Sequence, residues 1–340
     1  MATRNHGMPL EALRYDITPV GLHYLLIHYD IPAVDPAAWR LRIGGWVGRP
    51  LTLSLDDIRS RPRLTLPVTM ECAGNGRAGM FPIPASQPWL VEAVGTAEWT
   101  GTPLRPLLEA AAVADGAVDV VFTGADRGIE GGIEQNYERA LPLAEAMREE
   151  VLLAYEISGS PLSPQHGFPL RLVVPGWYGM TSVKWLTHIT VTGAPFNGYQ
   201  MANAYRWKVS EDDPGTPVTR MMPRALMVPP GIPSFFERDR FVPLGEVSLS
   251  GRAWSGWAPI QLVEVSADGA RTWERVELGE PVGPYAWCSW RSTWRPRRPG
   301  TYELCCRAAD AAGHVQPADP VWNVGGYANN AVQRIRVTVI

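Results

Sequence analysis

The chain has 340 residues, 46% of them hydrophobic and 19% charged, and 31 basic side chains against 34 acidic ones leave a net charge of −3. That balance argues against the basic surface a nucleic-acid or anionic-membrane partner calls for, while the length allows two domains, each with its own core. No apolar run reaches the roughly 18 residues needed to span a bilayer, and no charged-then-apolar leader pattern opens the sequence, so the expectation is a cytoplasmic protein.

In chain order, residues 1–20 are polar and turn-rich, with Pro9 and Pro19 bounding a short helical piece. Gly21–Pro32 follows, apolar and carrying His23 and His28. Trp39–Ile43 alternates as a strand does, Gly44-Gly45 punctuates it, and Leu51–Ile58 leads into a short helix. Leu64–Val68 reads as a short buried strand. Val94–Thr100 reads as another, followed by a helix from Pro103 to Val113, with Gly101 ahead of it. Val118–Phe122 is a compact buried strand, ended by the turn-like run Thr123-Gly124-Ala125-Asp126-Arg127-Gly128. A strand is expected over 187–194. Residues 206–245, with prolines at 214, 217, 223, 229, 230, 233 and 243, read as an extended connector. Beyond it Val247–Ala253, Gln261–Ser266, Ala286–Trp294, Tyr302–Ala309 and Arg334–Val339 alternate apolar and polar residues, with a hairpin turn at Asp268-Gly269. These strands predict a β-sandwich over 246–340, immunoglobulin-like in pattern but without an internal disulfide.

Chemistry concentrates at Thr69-Met70-Glu71-Cys72-Ala73-Gly74-Asn75-Gly76-Arg77. Two glycines and an asparagine directly after a strand require a tight turn with positive φ available. A thiol at that strand end is held from behind and open in front, and the cation of Arg77 would favour its thiolate, the form that ligates metals or attacks electrophiles. The alternative is a buried structural cysteine. Structural roles are expected for Cys288, Cys305 and Cys306, which form no C-x-x-C pair or zinc spacing with Cys72. Cys305 and Cys306 are neighbours on a strand and point to opposite faces.

The run E-C-A-G-N-G-R resembles the molybdenum-ligand loop of the sulfite oxidase family of molybdopterin enzymes. A second block extends the likeness: L-A-Y-E at Leu153–Glu156, H-G-F-P-L-R-L-V-V-P-G at His166–Gly176, and S-V-K-W-L at Ser182–Leu186. The resemblance covers about Thr18 to Val339. It implies an α+β chain: a mixed α/β molybdopterin-binding catalytic domain over 1–205, the connector, and a dimerisation sandwich that makes a homodimer. It implies that Cys72 is the metal ligand and that Arg77 and Tyr205 are catalytic. It implies further that His28, Asp126, His166, Arg171, Ser182, Val183 and Lys184 contact the cofactor, and that Trp89 lies near the substrate channel. His166, Arg171 and Lys184 also have the donor chemistry of a phosphate grip, with the Ser182 hydroxyl beside them. The literal Arg4-Asn5-His6 precedes the Thr18-Pro19-Val20 lead-in and is read as an accidental match to the family's pterin-histidine motif, which falls at His28.

The implied activity is two-electron oxygen-atom transfer at molybdenum, sulfite to sulfate, with electrons passing to a separate cytochrome or to oxygen and no haem of its own. The sequence departs from the family pattern where two anion-binding arginines are expected, at Leu26 and Gly325. Each missing charge-assisted bond is worth about 1.5–3 kcal/mol. Another substrate, or reduction of an S-oxide or N-oxide, is therefore the alternative to the small oxyanion. Readings outside the family are a metal-free enzyme with Cys72 as nucleophile, for which no histidine is placed locally as base, and a binding module built on the sandwich.

Overall fold

The computed structural model describes residues 4–340; residues 1–3 of the first expected domain lie outside that range. The chain forms two compact units. One takes Leu25–Leu66 and Ala97–Thr219 with the described part of Met1–His6; the other takes Gly7–Tyr24, Pro67–Thr96 and Arg220–Ile340. The division falls inside two strands, Leu64–Glu71 and Val94–Pro103. The stretch bearing Cys72 therefore folds with the C-terminal residues.

The first unit is built on a five-stranded sheet in the order Leu51–Leu53, Leu41–Gly45, Leu186–Thr192, Asp119–Glu130, Ile133–Pro142. Leu41–Gly45 and Leu186–Thr192 pair in parallel, and the other neighbours are antiparallel. Leu41, Ile43, Val120, Phe122, Leu141 and Ile189 are buried in its core. The short helix Leu55–Arg59 starts at Ser54, where Ser54 and Asp57 form a reciprocal capping box. A second group of strands joins Val94–Pro103 to Leu152–Ile157 and that strand to Arg171–Val173.

Three expectations are corrected here. The strand expected to end at Phe122 runs on to Glu130, because Arg127–Glu130 pairs with Ile133–Asn136 across a hairpin. The run Thr123–Gly128 is thus a bulged part of a strand, with a register shift between Thr123 and Arg127, and Asp126 is buried within it. The helix expected over Pro103–Val113 covers only Arg105–Ala110. Pro103 closes the strand, and Gly101 marks a bulge where a Cβ would lie 2.1 Å from Leu153 O. The stretch 206–245 is not free of elements, holding strands at Arg206–Trp207, Thr216–Pro217, Arg224–Met227, Ile232–Pro233 and Arg240–Val242. Its prolines flank Arg224–Met227 rather than interrupt it, and all four residues of that strand are buried against Val247–Trp254.

The second unit contains a β-sandwich. Val247–Trp254, Ile260–Ser266, Cys288–Trp294, Gly300–Asp310 and Gln333–Val339 are the long strands of its two sheets, which have four and six strands. Alternation places Leu249, Val263, Trp290, Leu304, Cys306 and Val337 in the core between them. Asp268 organises its hairpin turn, accepting from the N–H of Arg271 and Thr272 and from the Thr272 hydroxyl. Those bonds hold its carboxyl well below the usual range.

Candidate active site

In the second unit, Leu64–Glu71 delivers Cys72 to a loop that the backbone closes on itself. Asn75 N–H donates to Cys72 O (2.9 Å), Arg77 N–H to Gly74 O (3.1 Å), and Cys72 N–H to Ala93 O (2.9 Å). Gly76 has φ +89, and a Cβ there would lie 2.9 Å from Asn329 O. Behind the loop is a buried polar cluster. Glu71 Oε1 forms an ion pair with Arg224 Nε at 3.0 Å and accepts from Asn75 Nδ2 at 3.0 Å, and its Oε2 accepts from Trp254 Nε1 at 2.9 Å. Asn75 Oδ1 in turn accepts from Ala93 N–H.

The open thiol expected at the strand end is corrected. Cys72 is 6% exposed and burial pushes its thiol pKa up, although Gly74 N–H, the Arg77 guanidinium and the Trp89 side chain each favour the thiolate. Arg77 is itself buried; Nε donates to Gly325 O (2.9 Å), Nη1 to Gln87 O (2.7 Å), and its Cζ lies 5.3 Å over the Tyr327 ring. Trp89 is buried beside the thiol.

In the first unit, His28, Tyr137, Arg139 and Tyr205 form one group. His28 Nε2 and the Tyr205 hydroxyl are hydrogen-bonded, and the imidazole stacks on Tyr137 at 4.4 Å. Arg139 Cζ lies 5.3 Å over the Tyr205 ring, and its guanidinium donates to Gln200 O. Burial, then the charges of Lys184 and Arg139, push His28 down to about 3. The imidazole is therefore neutral near pH 7, and which ring nitrogen carries its proton sets the direction of the bond to the phenol. Tyr205 holds a left-handed φ of 50, a conformation that costs a non-glycine residue energy.

Lys184 and Asp126 share this unit. Lys184 Nζ donates to Leu26 O (2.6 Å) and Gln165 O (3.4 Å). Burial brings it down to about 7, Arg171 adding to the shift and Asp126 opposing it. Burial raises Asp126 to about 6 against the pull of Lys184. Asp126 Oδ1 is buried and has no hydrogen-bond partner among the described residues.

The donors expected to converge on a phosphate are neighbours, but three of them, Lys184, Arg171 and Ser182, have main-chain partners. Arg171 gives Nη1 to His166 O (3.1 Å) and Nη2 to Ser182 O (3.0 Å), with its Cζ 4.6 Å over Trp99. The Ser182 hydroxyl accepts from Val174 N–H, Val183 is buried with its carbonyl taken by Leu172 N–H, and His166 Nδ1 bonds Ser163 Oγ. Arg4-Asn5-His6 also has a structural task. Asn5 Oδ1 accepts Ile27 N–H at 2.9 Å, and His6 bridges Leu25, bracing the residues just before His28. Tyr137 and Arg139 were not singled out in the sequence. Their two-residue spacing on Ile133–Pro142, which puts both on one face, is the signal that could have found them.

Among the described residues no helix is long and apolar enough to cross a membrane, and no three His, Cys, Asp or Glu side chains cluster as a metal site.

Comparison with known proteins now defines the class. Residues 28–200 match the oxidoreductase molybdopterin binding domain, and 234–340 match the Mo-co oxidoreductase dimerisation domain. Sulfite oxidase of Gallus gallus is 37% identical over 338 residues, 94% of this chain and 72% of that protein. Nitrate reductase [NADH] of Solanum lycopersicum is 30% identical over 368 residues, 98% of this chain and 40% of that protein. The crystal structure of the sulfane dehydrogenase SoxCD from Paracoccus pantotrophus superposes with a TM-score of 0.82 at 27% identity, covering 96% of this chain and 82% of that one. Against mouse mitochondrial sulfite oxidase the chain spans 62% of its relative's length. The chain belongs to the sulfite oxidase family of molybdopterin oxidoreductases.

Proposed function

We propose that this chain is a molybdenum-cofactor-dependent oxidoreductase that carries out two-electron oxygen-atom transfer, with Cys72 as the thiolate ligand of the metal. The observation that carries this is the Cys72 loop: a rigid, buried thiol with a main-chain N–H, an arginine and an indole side chain favouring its thiolate. A soft thiolate would suit such a metal, and Cys72 would hold it in the deprotonated form that burial alone disfavours. When bound, the cofactor supplies the oxygen-atom transfer and the redox chemistry.

The protein's own part is binding and orientation. Asp126 Oδ1, a buried acceptor lacking a partner, suits a ring or exocyclic N–H of a pterin. Lys184 supplies a cation for the cofactor's phosphate. Arg171 and Ser182, with their polar groups on main-chain partners, shape the loops holding His166, Val183 and Lys184 rather than grip the group themselves. His28 holds the Tyr205 phenol by hydrogen bonding and so orients its O–H. Residues 1–205 would carry catalysis and 246–340 would pair two copies as a homodimer. Electrons would leave to a cytochrome or to oxygen.

Sulfite oxidation is the first activity to test. A second reading, reduction of an S-oxide or N-oxide, is favoured by Arg77, two of whose five N–H donors are taken by main-chain carbonyls. Metal analysis of wild type beside Cys72→Ser, from cells that make the cofactor, is the direct test. Stoichiometric molybdenum in wild type and its loss in the variant are expected. Wild-type protein without molybdenum would overturn the assignment of Cys72, and molybdenum without sulfite-dependent reduction of an artificial acceptor would move the substrate to the second reading.

A further inference from the structure

The hairpin that joins Asp119–Glu130 to Ile133–Pro142 turns at Gly131-Gly132 and packs against two tyrosines. A Cβ on Gly128 would lie 2.5 Å from the Tyr29 ring, and one on Gly131 would lie 2.6 Å from the Tyr199 ring, so glycine allows this close approach. A polar lock forms at the same place. Glu130 Oε2 accepts from Gln200 Nε2 at 2.6 Å and from the Tyr29 hydroxyl at 3.0 Å, and Gln200 Nε2 lies 3.2 Å from the Tyr29 oxygen. Burial, then the charge of Glu130, push the Tyr29 phenol pKa up, which keeps it a donor. Gln200 is buried, and because a carboxylate only accepts, its amide must present nitrogen to Glu130. Its Oε1 has no hydrogen-bond partner among the described residues. The amide is therefore held by its nitrogen alone.

This lock touches both flanks of the His28–Tyr205 hydrogen bond. Tyr29 directly follows His28 in the chain. On the other flank, Gln200 O accepts from the Arg139 guanidinium, whose Cζ lies 5.3 Å over the Tyr205 ring. Gln200 also sits in the short helix Tyr199–Ala202, and Asn203 N–H and Ala204 N–H both donate back to Tyr199 O (2.9 and 3.1 Å), so this turn leads directly into Tyr205. Beyond it, Val218 N–H donates to Tyr205 O (2.9 Å), and the Arg206 guanidinium donates to the carbonyls of Met201, Pro214 and Gly215. A tyrosine at φ 50 persists only where its surroundings over-determine it. The bonds of Val218 and Arg206 lie within residues 198–218. Glu130 ties that segment to the hairpin and to the stretch that carries His28.

We propose that Glu130 is a positioning residue for the His28–Tyr205 pair: by gathering Tyr29 and Gln200 onto one carboxylate, it sets the stretch carrying His28 against the segment carrying Tyr205. It acts through Tyr29 on one side, and through Gln200 and Arg139 on the other. Its kinetic consequence rests on the reading of Tyr205 as a residue that meets substrate, while the geometry it sets is measurable without that reading. Displacing a reacting group by about 1 Å is enough to cost a large factor in rate.

NMR of the purified full chain, isotopically labelled on the histidine ring nitrogens, reads the His28–Tyr205 hydrogen bond whether or not the metal is present. The chain has six histidines, and His28→Gln identifies the signal by its loss. Tyr205→Phe gives the position of a His28 ring without that bond. Glu130→Ala is expected to move the signal toward that position. Glu130→Gln keeps an acceptor for the Gln200 amide and is expected to leave the signal at the wild-type position. In molybdenum-loaded protein, Glu130→Ala is expected to lower kcat for sulfite roughly tenfold with KM changed less than about threefold, and to lower kcat no further once Tyr205→Phe is present. An unmoved His28 signal in folded Glu130→Ala overturns the proposal, and so does a loss of kcat that adds in full to that of Tyr205→Phe. Should Glu130→Ala fail to fold, Gln200→Met keeps the side-chain length and the main-chain oxygen but drops the amide. It is expected to move the signal in the same direction, and an unmoved signal there overturns the proposal equally. Wild-type kcat in Tyr205→Phe overturns only the catalytic reading of Tyr205, and without sulfite turnover the His28 signal decides.

Discussion

Glu71 and Arg224 meet at 3.0 Å with their side chains 1% and 2% exposed, one residue before the cysteine of the loop. Burial raises the Glu71 pKa and Arg224 opposes that rise, helped by Trp254 and Asn75. Arg224→Met would leave a buried carboxylate without its cation, a change that costs about 3–5 kcal/mol. In the variant the folded-state pKa of Glu71 climbs further above its unfolded value. The folded variant then holds a proton that the unfolded chain has released, so its deficit grows as pH rises from about 5 and shrinks in acid. Urea unfolding of both proteins at pH 5 and pH 8 measures this, and an equal deficit at the two pH values would contradict it.

Tyr205→Phe removes the hydroxyl that is hydrogen-bonded to His28 but keeps the ring beneath Arg139. The Tyr205 hydroxyl also bonds Tyr137, so the stability cost should be about 1–3 kcal/mol, that of two hydrogen bonds at about 0.5–1.5 kcal/mol each. If the phenol acts on substrate, kcat falls by more than tenfold while molybdenum content holds. Steady-state kinetics with metal analysis separate this from a packing role, which would leave kcat near wild type.

Lys184 sets a pH dependence of its own. Its folded pKa of about 7 lies below the ordinary value of 10.5. Between these values the unfolded chain holds the proton and the folded one does not, so stability rises with pH through that window and is lost as pH falls toward 7. In cofactor-free protein the Tm should climb between pH 7 and 9, and climb less in Lys184→Met. Parallel curves would show that the ammonium is already accommodated.

Gly76→Ala tests the turn after Cys72. A left-handed residue bearing a Cβ costs about 1–2 kcal/mol, and here the Cβ also meets Asn329 O at 2.9 Å. A measurable drop in Tm with reduced metal retention is expected. Wild-type Tm would mean that the loop can relax.

Several features were legible because local chemistry determines them. The strand-to-glycine transition at Cys72 and the alternation in Val247–Trp254, Ile260–Ser266 and Gln333–Val339 survive in the structure almost unchanged. The strand through Asp126 was not legible, since its glycines and aspartate carry turn propensity and only pairing with Ile133–Pro142 keeps them extended. The prolines of 206–245 hid Arg224–Met227 for a related reason, as four buried residues are too few to show a period. Arg171 looked like a ligand cation from its type alone, and its main-chain acceptors, His166 O and Ser182 O, are visible only in three dimensions. The group of His28, Tyr137, Arg139 and Tyr205 draws on three separated stretches of chain, which spacing alone could not unite.

The folding of Pro67–Thr96 with Arg220–Ile340 has a practical consequence for anyone dissecting this enzyme. A fragment cut near residue 245 would contain Cys72, but would lose Trp254 against Glu71, Asn329 against Gly76 and Ala328 against Ala73. Such a truncation would strip the cysteine loop of its scaffold while leaving its sequence whole. Inactivity of that fragment would therefore say nothing about whether pairing of two copies is needed for catalysis. Point substitutions that weaken the proposed subunit pairing in the intact chain are the cleaner route to that question.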